Sequence, residues 1–320
     1  MSAMSSAETN KTGEDRNPRR RRKRWLDFWI YLWRVQSRFC PRWYAQLWAR
    51  AIGLLTFIVC RRYRRNVWRS YRIVAGPELP WWKLCLRTWR AFDNLCRGQC
   101  DFFLYAFGGG RDPAAVLGSV KGVQHLEPAL AANKGLLLIT AHVGAWELGA
   151  VLMRPYLPPD REIVVVYYKD VVASYESARS EARGLGGIKQ VSVGSSMFAA
   201  LPVLRALRQG SIAAVQGDRD YTGSSLEVPF FGRPALFSSG PVRLATAADV
   251  PIFPVFVLRG ADGKYHAEVR PQLDLVRLPD REAETQENVR RWTAVLEEVI
   301  RRYPDQWYCF SPVWDFSGDR

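Results

Sequence analysis

Histidine is scarce in this chain. His125, His142 and His266 are the three imidazoles available for proton transfer near neutral pH. His125 lies in a polar, helix-like stretch and His266 in a strand-like one beside Tyr265, settings that suit structural or exposed roles. His142 differs. It follows the apolar run GLLLIT and precedes AWELGAVLM, so the pattern puts it at the carboxyl end of a strand. That edge of an α/β sheet is where ligands bind. Glu147, five residues on, falls in the first turn of the next helix. On one continuous helix the two side chains would stand about 140° apart. With His142 in the turn, the Glu147 carboxylate can reach back to the imidazole, fix its tautomer and stabilise the imidazolium. Such a dyad can deprotonate an alcohol. The same spacing also fits a histidine capping the helix, with Glu147 as a favourable first-turn charge.

Other chemistries leave weaker traces. No Gly-x-Ser-x-Gly elbow occurs, and Ser196, Ser225 and Ser239 lack the flanking glycines, so a covalent acyl-enzyme is not indicated. Asp218-x-Asp220 after an apolar run could share a divalent cation, as in many nucleotide-sugar glycosyltransferases. Arg219 between the two acids works against that reading. Six cysteines without a Cys-x-x-Cys pair or a histidine at zinc spacing indicate neither a zinc site nor a disulfide scaffold, and suit a reducing compartment. The dyad reading expects no metal and no cofactor.

The elements that must position these residues alternate. Apolar runs at Leu136–Thr140, Ile163–Tyr168, Ile212–Gln216 and Ile252–Leu258 interleave with helical patterns at 144–154, 171–183, 197–209, 236–248 and 282–303. This predicts an α/β fold, a layered and largely parallel or mixed sheet flanked by helices. Residues 81–107 read as a packing helix, and Gly108-Gly109-Gly110 as a loop.

With those blocks in view, Thr140-Ala141-His142-Val143-Gly144-Ala145-Trp146-Glu147 resembles the His-x4-acid motif of membrane lipid acyltransferases, most closely the bacterial late acyltransferases of lipid A biosynthesis. Further blocks follow in that family's order: Tyr167 with Arg183 sixteen residues later, Asp218-Arg219-Asp220-Tyr221, Val228-Pro229-Phe230-Phe231-Gly232, and Ser239-Gly240. The resemblance implies His142 as general base with Glu147 as its partner. It implies Arg183 as the residue that binds phosphate or positions the donor thioester, with Arg219 as a second candidate. Asp218 would hold the site together through Arg183. The donor would be acyl carrier protein or acyl-CoA, and the acceptor a hydroxyl of a membrane lipid resembling a lipid A precursor. Two departures stand out. Ala145 replaces the usual Asn before Trp, and residues 307–315 lack the basic pair common in lipid A enzymes. The second departure points to other glycolipid or secondary-metabolite acceptors.

Charge completes the sequence reading. The net charge is +15, of which +13 falls in residues 1–80, together with nine of the thirteen tryptophans when Trp81, Trp82 and Trp89 are included. A nearly neutral body disfavours nucleic acid as a partner, whereas Arg mixed with Trp at one end suits an anionic membrane surface. Residues 1–24 read as a disordered tail ending in the basic run Arg19–Arg24, without a secretory signal. Residues 25–110 read as an amphipathic helical membrane-binding region and 111–320 as the acyltransferase domain. Trp25, Phe28, Trp29, Leu32 and Trp33 share one helix face. Trp43–Cys60 fits a helix dipping into one leaflet better than a span, and Arg61, Arg62, Arg64 and Arg65 return the chain to headgroups. The expected location is the cytoplasmic face of a bacterial inner membrane, peripheral or monotopic. A non-catalytic membrane-binding module is the rival from another class.

Overall fold

A computed structural model describes residues 31, 35, 37–168, 173–185, 187–193, 200–219 and 223–316. The basic run, the aromatic face expected at 25–33 and Asp220 lie outside the described residues. In chain order the described elements are helices α1 (Arg42–Val59), α2 (Arg61–Ala75) and α3 (Trp81–Phe107), then strand β1 (Leu117–Lys121) and helix α4 (Glu127–Ala131). Next come β2 (Leu136–Thr140), α5 (Trp146–Met153), β3 (Ile163–Tyr168), α6 (Ala173–Leu185), β4 (Lys189–Val193), α7 (Leu201–Arg208) and β5 (Ile212–Gln216). A hairpin of β6 (Ser225–Phe230) and β7 (Arg233–Ser238) leads into α8 (Gly240–Ala248), β8 (Ile252–Arg259), β9 (Tyr265–Val269) and α9 (Arg281–Arg302).

Seven strands form one sheet in the order β1-β9-β8-β2-β5-β3-β4. Every pair is parallel except β8 with β9, so the expected layered, largely parallel sheet is the observed one. Its central strands are apolar on both faces because helices cover both. Leu137 and Ile139 face a layer holding Val289, Trp292 and Leu296 of α9, while Leu136 and Leu138 face one holding Leu148 and Leu152 of α5. The helical pattern at 236–248 needs one correction. Residues 236–238 finish β7, and the helix begins only at Gly240, where Pro241 sits in its first turn.

Helix α1 meets α3 along a stripe of small residues. Ala45, Ala49 and Gly53 recur every fourth position and are buried. A Cβ on Gly53 would stand 3.2 Å from the Asp93 Cα, so the two backbones approach closely there. Arg42 and Gln46 add polar bonds to the same joint. Arg42 is bidentate to buried Asp101 at 2.8 and 3.0 Å, and Gln46 accepts from Arg97 at 2.6 Å. The opposite face of α1 leaves Trp43, Leu47, Trp48, Leu55 and Ile58 exposed. No single described helix is long and apolar enough to cross a membrane, although α1 and α2, bent by 90° at Cys60, pass that test as a pair.

Candidate active site

Strand β2 stops at Thr140 and the chain turns sharply before α5. Gly144 makes the turn possible. Its φ is +62°, and a Cβ there would sit 2.0 Å from the Val257 carbonyl oxygen. The turn is clamped from two sides. Ala145 donates its N–H to the Val257 carbonyl at 2.7 Å. Residues 306–308 supply the other side, where Gly144 N–H donates to the Gln306 carbonyl at 2.9 Å and Tyr308 N–H to the His142 carbonyl at 2.8 Å. Trp146 lies edge-on to the imidazole, with ring centroids 5.2 Å apart.

In this setting His142 does not meet Glu147. Its Nδ1 stands 2.8 Å from the Asp218 Oδ1, and its backbone N–H donates to the Asp218 Oδ2 at 3.0 Å. Asp218 follows the end of β5, the strand beside β2, so two adjacent strand ends bring the pair together. Asp218 is 1% exposed. Burial pushes its pKa up, but the facing imidazole and Arg219 outweigh burial and hold the carboxyl below its ordinary value. Burial and Arg219 together pull His142 below its usual value, against the opposing pull of Asp218. The pair is therefore neutral imidazole beside carboxylate. A carboxylate can only accept, so Nδ1 carries the proton and Nε2 is left as a free base.

Glu147 is committed elsewhere. Its carboxylate takes a fork from Arg183 of α6, Nε to Oε2 at 3.0 Å and Nη2 to Oε1 at 2.9 Å, and a further bond from Arg179 one turn earlier. Burial pushes this carboxyl up, yet the Arg179 and Arg183 guanidiniums hold it at about 2. Arg183 lies over the Tyr167 ring at 5.0 Å, with a side chain only 4% exposed. The geometry thus differs from the sequence expectation on three points. The carboxylate on the imidazole is Asp218, Asp218 bonds to His142 rather than Arg183, and Arg183 is locked on Glu147 rather than open to a phosphate. Local spacing favours Glu147, but a carboxylate 76 residues away on a neighbouring strand end competes for the same nitrogen. Arg219, the second candidate, donates to the Tyr308 carbonyl. For a cation at Asp218, both carboxylate oxygens already accept from His142.

His142 opens onto a cavity of about 530 Å³. One sheet face makes its floor through Leu138, Ala214, Val165, Val255 and Val257, while Ala150, Met153 and Leu157 supply wall. Arg179, Arg183 and Glu147 stand at the polar side, and Tyr308 and Phe310 close another. Sequence reasoning missed Arg179 and the strap at 306–310. Arg179 carried one signal, its i, i+4 spacing from Arg183 on a single helix face. The arrangement is a general base at one end of an apolar slot.

Residues 108–315 match the family described as bacterial lipid A biosynthesis acyltransferase. A phosphatidylinositol mannoside acyltransferase of Mycolicibacterium smegmatis is 30% identical over 205 residues, 62% of this chain and 63% of that protein. One from Mycobacterium tuberculosis is 27% identical over 208 residues, 63% of this chain and 62% of that protein. A lipid A biosynthesis acyltransferase of Haemophilus influenzae is 24% identical over 195 residues, 58% of this chain and 55% of that protein. The chain thus spans under two thirds of the length of each of these relatives. The family match takes in the strand end bearing His142, the helix bearing Glu147, the strand end bearing Asp218 and the strap that clamps them, and on that match this chain belongs to the bacterial lipid A biosynthesis acyltransferase family.

Proposed function

We propose that the chain transfers a fatty acyl group from a thioester, on acyl carrier protein or coenzyme A, to a hydroxyl of a membrane glycolipid. The observation that carries this reading is the His142–Asp218 couple at the end of an apolar cavity of about 530 Å³. A base with its Nε2 free can take the proton of an acceptor hydroxyl, and an apolar slot can hold the chain being moved. The second departure in sequence bears on the acceptor. Trp307, Tyr308, Cys309 and Trp314 are buried and form part of the core, so the segment that lacks the basic pair is a structural strap here. That supports a glycolipid acceptor of the kind named in the mycobacterial relatives over a bis-phosphorylated one.

The reaction would take place at the cytoplasmic face of the membrane, where soluble thioester donors reach lipid. The exposed apolar face of α1 beside the exposed Arg61, Arg62 and Arg65 supports contact with anionic lipid. The test supplies the full chain with radiolabelled acyl thioester and vesicles containing mannosylated phosphoinositide or a lipid A precursor. The expected result is an alkali-labile acyl ester on the mannosylated lipid, abolished by His142→Ala. A protein that binds the vesicles but consumes no thioester with either acceptor would overturn the reading in favour of a membrane-binding module.

A further inference from the structure

Gln216 ends β5 and pairs in register with Thr140 at the end of β2. It follows Ala214 on the strand face that floors the cavity, and it stands two residues before the carboxylate that holds His142. Its amide nitrogen Nε2 is buried, and no acceptor lies within hydrogen-bond reach of it among the described residues. A buried N–H donor without a partner is costly, and folded proteins seldom retain one. Gln216 lines the cavity, so a turn of its terminal amide would present this donor to a ligand oxygen there. Along an acyl thioester the carbonyl oxygen is the strong acceptor, and it lies next to the carbon that the acceptor hydroxyl must attack.

We propose that the Gln216 amide holds the thioester carbonyl oxygen and the oxyanion that forms from it. This rests on the acyl-transfer reading above. The acceptor oxygen bonds to the carbonyl carbon, its proton passes to His142 Nε2, and the carbonyl π pair moves onto the oxygen facing Gln216. The pair then returns, the C–S bond breaks, and the proton on His142 passes to the departing thiolate, leaving an ester and a free thiol. Arg179 and Arg183 hold the Glu147 carboxylate, and Arg219 donates to the Tyr308 carbonyl.

Gln216→Met keeps the length of the side chain and removes the donor. Losing one preorganised donor to an oxyanion lowers kcat by about 10²–10³-fold. We expect that loss with KM for the thioester within about threefold of wild type, equally for plain and 3-hydroxylated chains. Thermal stability should be unchanged or higher, since an unpaired buried donor is removed. A kcat near wild type overturns the assignment. A loss confined to 3-hydroxylated chains also overturns it, because Gln216 would then read the chain rather than the carbonyl. A fall in kcat accompanied by an equal fall in melting temperature and protein yield assigns Gln216 a structural role instead. Wild-type turnover that His142→Ala abolishes establishes the underlying reading independently, whereas wild-type protein without turnover sinks both.

Discussion

Replacing Asp218 with Asn separates the two carboxylates that sequence spacing could not. The substitution preserves size in a site that is 1% exposed. It removes the anion that accepts from the His142 ring at 2.8 Å and from its backbone N–H at 3.0 Å. An Asn amide N–H₂ facing Nδ1 makes that nitrogen the acceptor and moves the ring proton to Nε2, the atom that must take the substrate proton. In a serine-protease triad the corresponding wrong-tautomer change costs about 10⁴ in kcat. We expect a loss of about 10³–10⁴-fold for Asp218→Asn, equivalent to about 4–5.5 kcal/mol of transition-state stabilisation. The pH profile adds a sign. The Asp218 charge raises the His142 pKa, so its removal should move the acid limb of kcat to lower pH. Glu147→Gln should behave differently. It removes one of the two carboxylates, Glu147 and Glu176, that the Arg179 and Arg183 guanidiniums share, and breaking a buried pair costs about 3–5 kcal/mol of stability. Single-turnover acyl transfer and thermal melts on both variants decide the matter. If Asp218→Asn stays within about tenfold of wild type while Glu147→Gln loses 100-fold or more at an unchanged melting temperature, Glu147 is the working partner of His142 and the geometric argument fails.

Three further outcomes are expected. Glu147 titrates at about 2 in the folded chain against an ordinary 4.5, so its stabilisation is complete above about pH 4.5 and is lost as pH falls towards 2. Denaturant midpoints between pH 6 and 3 should drop less steeply for Glu147→Gln than for wild type, the difference reaching about 2 kcal/mol by pH 3, and parallel curves would deny the ion pair. Ala214→Leu places added methyl groups on the cavity floor and should shift donor preference to shorter chains, by about fourfold in kcat/KM for each methylene displaced at about 0.8 kcal/mol. An unchanged preference would mean that the chain does not cross Ala214. Replacing Leu54, Leu55 and Ile58 by Gln should weaken sedimentation with anionic vesicles by about tenfold or more, given about 1.5–3 kcal/mol for each such side chain fully buried, while equal sedimentation would place membrane contact elsewhere.

The central sheet was legible in the sequence because its strands are covered on both faces. Leu136–Thr140, Ile163–Tyr168 and Ile212–Gln216 are continuous apolar runs, and each appears with the expected bounds. The peripheral strands LGSVK, KQVSV and YHAEV mix polar with apolar residues, and the sequence reading assigned no strand bounds to them or to the β6–β7 hairpin. The site was half legible. His142, Glu147, Arg183, Asp218 and Arg219 do converge around one cavity except for Asp218, which stands behind His142. Their pairing was not legible, because it depends on which strand ends are neighbours. The order β2-β5-β3 puts Asp218 beside His142, and α6, which links β3 to β4, carries Arg183 to Glu147. Gln216 looked like the end of a strand, and only its unpaired nitrogen marks it.

The stripe of Ala45, Ala49 and Gly53 has a bearing on how α1 could tolerate a change of surroundings. Apolar side chains hold helices together in water because water rejects them, and hydrocarbon offers no such rejection. A joint built on bulky apolar contacts would therefore loosen as its outer surface moved from one medium to the other. Here the backbones touch closely enough for dispersion to act between main chains, and Arg42–Asp101 and Gln46–Arg97 bond across the same seam. Neither contribution requires water to reject apolar surface. The seam does not rely on the hydrophobic effect, so α1 can exchange water for lipid on its outer side without losing what joins it to α3, the helix that delivers Leu95 and Gln99 to the cavity wall.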